Sequence, residues 1–89
     1  MGMWTVADAR GNSTVLYFHT PTNVQIVVRQ KGTEITNAAF AYRLEGNRLF
    51  IAGSAGELSM LIKSISPKKL QIDGLMGDPK LNVTFKRVQ

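Results

Sequence analysis

The chain has 89 residues and no cysteine, so a single small domain over residues 1–89 is expected, with no disulfide framework, thiolate nucleophile or thiolate metal site. Apolar residues make up 44% and charged residues 19%, a globular balance that excludes a disordered chain. No apolar run approaches the roughly 18 residues of a membrane-spanning helix, so no transmembrane segment is expected.

Met3–Ala7 begins the chain as a short strand carrying Trp4 and Val6 on one face. Asp8-Ala9-Arg10-Gly11-Asn12 is turn chemistry. Ser13–Thr20 is rich in β-branched and aromatic residues and predicts a strand, with Leu16 and Phe18 on one face and Val15, Tyr17 and His19 on the other. Pro21 punctuates the next turn. Val24–Gln30 alternates through Val24, Ile26 and Val28, and Lys31-Gly32-Thr33 turns the chain.

Thr36–Glu45 and Asn47–Ala52 form the clearest unit of the sequence. Two alternating runs flank Gly46-Asn47, a two-residue hairpin pair, which sets Glu45 opposite Arg48, Leu44 opposite Leu49, Arg43 opposite Phe50 and Tyr42 opposite Ile51. Phe40, Tyr42, Leu44, Leu49 and Ile51 then share an inward face, and Glu45 and Arg48 make an opposite-charge pair beside the turn. Gly53–Gly56 reads as a loop. Glu57–Ser64 presents Leu58, Met60 and Ile62 on one face, and Ile65–Lys69 turns around Pro67. Leu70–Asp73 is a short strand, Gly74–Pro79 a loop, and Lys80–Val88 a last strand with Leu81, Val83 and Phe85 inward.

Short strands punctuated every 8–12 residues or so are the signature of an all-β sandwich or barrel. Short connections join neighbouring antiparallel strands, and closure removes both sheet edges. The expected fold is therefore an eight-stranded antiparallel up-and-down β-barrel with little or no helix.

Three pieces of the chain bear on kinship. They are Gly2-Met3-Trp4 at the start, the block Tyr42–Ile51 followed by Ile62–Leu70, and Phe85-Lys86-Arg87 at the end. Together they resemble the small bacterial lipocalin-like domains of the calycin superfamily. The resemblance implies a barrel closed at one end by Arg87 packing across Trp4. It also implies a small secreted or periplasmic protein whose leader has been removed, and a hydrophobic ligand. Parity agrees with the closure, since Arg87 shares a face with Phe85, and a guanidinium over an indole is a favourable stack. The short loops depart from the long mouth loops of full-length lipocalins.

The inward residues are large, and a small eight-stranded barrel is either filled by side chains or holds one small ligand. If a pocket is present, Phe18, Phe40, Tyr42 and Met60 are expected to line it, with Tyr42 as the polar handle. No catalytic residue is expected. His19 is the single histidine, and the carboxylates fall mostly at turns and strand ends, with nothing that places a base beside a nucleophile. Asp73 and Asp78 around Gly74 and Gly77 are too few for a calcium loop, so neither a metal nor a cofactor is expected.

Outward parity collects Tyr17, Val27, Phe50 and Leu61, and Val15, Tyr17 and Val27 fall on neighbouring strands, a patch suited to a homodimer. The net charge of +5 and pI of about 10.0 raise the question of nucleic acid. The basic residues are scattered, however, and only Lys68-Lys69 and Lys86-Arg87 are adjacent, so such a partner is not favoured. The expectation is a lipocalin-like, non-catalytic binding module for a small hydrophobic ligand. One alternative is a basic nucleic-acid-binding barrel using Tyr17, Phe50, Arg29, Arg43 and Lys86. The other is a solid-core interaction or dimerisation domain.

Overall fold

The structure is a computed structural model that describes residues 2–53, 56–74 and 82–88. Its strands are β1 (Gly2–Ala7), β2 (Ser13–Phe18), β3 (Asn23–Gln30), β4 (Thr33–Glu45), β5 (Arg48–Gly53), β6 (Gly56–Ile65), β7 (Lys69–Asp73) and β8 (Asn82–Arg87). Each pairs antiparallel with the next, and β8 returns to β1 through Trp4 opposite Arg87 and Thr5 opposite Lys86. The eight strands close into an up-and-down barrel, with no helix among the described residues.

The central hairpin has the register that its alternation predicts, from Tyr42 opposite Ile51 to Glu45 opposite Arg48. Gly46 takes φ 61°, and glycine first with φ above zero is the type II′ pattern that matches strand twist. The expected Glu45–Arg48 contact is replaced on the outer surface. Arg43 instead bridges Glu45 at 3.1 Å and Glu57 at 3.0 Å, with its guanidinium carbon 4.1 Å from the centre of the Phe50 ring. Glu45 shares the parity of Arg43, so the same-strand neighbour competes with the one across the turn.

The core is built in cross-strand rows. Trp4, Leu16 and Ile26 lie in register on β1, β2 and β3, Leu49 faces Met60, and Leu70 faces Phe85. All of these side chains are essentially inaccessible. Burying each large side chain stabilises the barrel by about 1.5–3 kcal/mol relative to exposure, before the entropy of ordering it is counted.

Five details differ from the expected strands, most of them for a local reason. First, β4 starts at Thr33 rather than Thr36, because Gln30 pairs with Thr33 across the tight Lys31-Gly32 turn. Second, a bulge opposite Val28 and Arg29 leaves Ile35 unpaired and 53% exposed. Third, a bulge at Lys63 re-phases β6, so that Ile65 pairs with Leu70 where strict alternation would have turned it outward. Fourth, Leu44 keeps its inward parity but is 44% exposed. It lies beyond the start of β3, whose pairing with β4 ends at Asn23 opposite Ala41, so nothing on that side covers it. Fifth, Gly53 and Gly56, expected within a loop, are paired with each other as strand ends. The expected inward position of Leu81, the turn at Pro79 and the carboxylate of Asp78 lie outside the described residues.

Candidate functional site

Antiparallel up-and-down winding gives the barrel two ends of different character. At one end lie the β2–β3, β4–β5 and β6–β7 turns with the start of β1 and the end of β8. The β1–β2 and β3–β4 turns lie at the other.

The first end is closed by side chains. Phe18 and Tyr42 meet edge to face with ring centres 5.0 Å apart, and the Tyr42 hydroxyl donates to the Thr20 carbonyl at 2.9 Å. The Tyr42 backbone N–H donates to the Thr22 carbonyl, also at 2.9 Å, which ties the β2–β3 turn over the end of the barrel. Arg87 places its guanidinium carbon 5.6 Å from the centre of the Trp4 ring. The Trp4 indole N–H is buried with no acceptor among the described residues.

Burial pushes the Tyr42 phenol above its ordinary value of 10.0. A phenol held neutral in the fold contributes stability below its unfolded pKa and loses that contribution as pH rises through the unfolded value toward the folded one. Tyr42→Phe is expected to cost about 1 kcal/mol at neutral pH and to remove part of the alkaline destabilisation. Urea melts of both proteins at pH 7 and above pH 10 measure both effects, and equal alkaline loss in the two proteins would sink the assignment.

The opposite end is not filled in the same way by the described residues. A concavity of about 490 Å³ is floored by the inward-facing Val6, Val28 and Val83 and rimmed by Asp8, Asn12, Ser13, Thr14, Arg29 and Gln30. Thr14 stands in register between Val6 and Val28, so β1, β2 and β3 supply one continuous wall. The rim is tied together by turn chemistry. Asp8 accepts from the backbone N–H of Arg10 at 2.8 Å and of Asn12 at 3.1 Å, and from the Asn12 side chain at 3.0 Å. These hydrogen bonds, that from the Asn12 backbone first, hold the Asp8 carboxyl below the usual carboxylate range. Asn12 in turn accepts from Lys31 N–H at 3.3 Å, and Gly32 N–H donates to the Gly11 carbonyl at 3.2 Å, which fastens the β1–β2 turn to the β3–β4 turn.

The residues expected to line a pocket are elsewhere. Phe18, Tyr42 and Met60 are buried in the core, and Phe40 is half-buried opposite Val24. None of the four borders the concavity. Sequence parity placed Val6, Val28 and Val83 inward but had no way to show that the described residues leave a concavity above them.

The outer face of β2, β3 and β4 carries a directed polar chain. Glu34 can only accept, so the Asn37 amide nitrogen faces it at 3.3 Å and the Asn37 oxygen faces Gln25 Nε2 at 2.7 Å. Gln25 Oε1 then faces His19 Nε2 at 2.8 Å, which assigns the imidazole hydrogen to that nitrogen. The His19 ring stacks on Tyr17 at 3.9 Å. This histidine is oriented by the Gln25 amide oxygen. Beside it, Met3, Val15, Tyr17, Gln25, Val27 and Arg29 line a depression of about 290 Å³, which gathers the outward Val15–Tyr17–Val27 patch. Among the described residues, no three of His, Asp and Glu gather as metal ligands. Of the basic residues expected in a nucleic-acid groove, Arg29 is ion-paired to Glu34 at 3.8 Å and Arg43 to two glutamates, while Lys86 lies on β8.

No protein-family model matches the chain, and comparisons with curated proteins and with solved structures find no match.

Proposed function

We propose that the chain is a lipocalin-like, non-catalytic binding module that takes a small apolar or amphipathic ligand at the end of the barrel that carries the concavity. The supporting observation is the concavity floored by Val6, Val28 and Val83, set at the end opposite Trp4 and Arg87. Its volume of about 490 Å³ suits a small molecule, and an apolar floor under a few fixed polar groups is the usual composition of a ligand site. Trp4 on the first strand with Arg87 across it at the closed end agrees with the calycin resemblance. In this reading Asn12, Thr14 and Arg29 orient the polar end of the ligand, and the ligand floor moves from Phe18, Phe40, Tyr42 and Met60 to the three valines.

The test is displacement of a hydrophobic fluorescent dye from the wild type and from Thr14→Trp, whose indole fills the mouth. Wild-type binding that is lost in T14W is the expected result. Absence of dye binding, or equal binding by both proteins, overturns the reading.

A further inference from the structure

The sequence contains two adjacent basic pairs, Lys68-Lys69 and Lys86-Arg87, far apart along the chain. The fold brings them into one corner. Lys69 lies directly opposite Lys86 across β7 and β8, and Arg87 N–H donates to the Lys68 carbonyl at 2.9 Å. Lys69 and Lys86 point outward because their strand neighbours Leu70 and Phe85 are fully buried. Lys68, Lys69 and Lys86 are all exposed. Among the described residues, no carboxylate lies within ion-pair distance of any of the three, and the ion pairs that form involve Arg29, Arg43 and Lys63. Like charges directly opposite one another on a sheet are destabilising. The corner therefore carries an electrostatic cost that an anionic partner would relieve.

Two aliphatic side chains are exposed at this end of the barrel. Ile65 is in register with the inward-facing Leu70, so it lies at the inner rim and not on the outer face that carries Lys69, and it is 54% exposed. Val88 follows Arg87, donates its N–H to the Met3 carbonyl at 2.8 Å and is 50% exposed. Cations with protruding aliphatics supply the two signals that interfacial binding needs, attraction to anionic headgroups and apolar contact below them. A single-stranded nucleic acid would also want stacking rings. Tyr17 and His19 lie two strands away, stacked on each other.

We propose that this corner docks the barrel on an anionic membrane surface. Lys68, Lys69 and Lys86 meet lipid phosphates, and Ile65 and Val88 enter the headgroup layer. The docking end is the closed one, so the concavity faces away from the bilayer.

The test is co-sedimentation with vesicles of phosphatidylcholine alone and of phosphatidylcholine mixed with phosphatidylglycerol. Binding is expected to the mixed vesicles only and to fall with added salt. Each Lys→Gln change should weaken it about fivefold, and K68Q/K69Q/K86Q on the order of a hundredfold. Ile65→Ser with Val88→Ser should weaken it as well. K69Q relieves the like-charge pair, so its melting temperature should not fall, which separates lost docking from lost folding. The idea fails if mixed vesicles do not bind or if the triple variant binds like wild type. It also fails if a single-stranded oligonucleotide is retained at a salt concentration where mixed vesicles are not. Dye binding at the concavity should be unchanged in the triple variant, so this proposal and the ligand reading stand or fall separately.

Discussion

Phe85→Ala is expected to destabilise the barrel by about 3–5 kcal/mol. The Phe85 side chain is inaccessible and sits opposite Leu70, itself inaccessible, on the strand that closes the sheet. Truncation removes the transfer free energy of the ring and leaves a cavity between β7 and β1, which the surrounding strands can fill only in part. The position matters beyond the lost area. Contact between β8 and β1 rests on Trp4 opposite Arg87 and Thr5 opposite Lys86, with the Val88-to-Met3 hydrogen bond beside them. Phe85 lies on the inward face just before that seam. A domain of 9.8 kDa buries a modest core, and total stabilities run from about 5 to 15 kcal/mol. The variant should therefore lose about a fifth or more of its stability, seen as a shift of the urea midpoint with little change in slope. Thr84→Ala, at an exposed position on the same strand, is the control and should shift the midpoint little. A Phe85→Ala loss below about 1 kcal/mol would mean that the β7–β8–β1 seam is not packed as described.

The seam also shows where sequence reasoning succeeds and where it stops. Side-chain alternation is a local property, so inward parity was readable at Trp4, Leu16, Ile26, Leu70 and Phe85, and all five are core residues. The Gly46-Asn47 hairpin was readable because turn chemistry and alternation fix one register between them. Bulges are different. The unpaired positions of Ile35 and Lys63 depend on how the partner strand is offset, and nothing in Thr33–Thr36 or Ile62–Ser64 announces that offset. The concavity among the described residues was not legible for a related reason. Val6, Val28 and Val83 look like any other inward valines, and whether the space above them is filled depends on strand tilt and on the turns that rim it. The two basic pairs were visible as dipeptides, but their convergence required the β7–β8 register.

The sharpest comparison lies in the hairpin itself, where Leu44 and Leu49 are direct cross-strand partners on one face. Alternation treats them as equals. Leu49 is fully buried and faces Met60 of β6, whereas Leu44 is 44% exposed, because β3 does not extend beside it. Leu49→Ala should cost about 2–5 kcal/mol, since it empties part of the β4–β5–β6 wall against neighbours that cannot collapse. Leu44→Ala removes the same atoms from a half-wet site and should cost less than about 1 kcal/mol. Intrinsic strand preference is common to both changes, so the difference between the two urea midpoints isolates burial from propensity. Double substitution should be close to the sum of the two single losses, apart from a small cross-strand coupling of about 0.2–1 kcal/mol. Equal losses at the two positions would require a covering segment over Leu44. The end of the barrel beside the β4–β5 turn would then be closed more completely than the pairing of β3 with β4 allows.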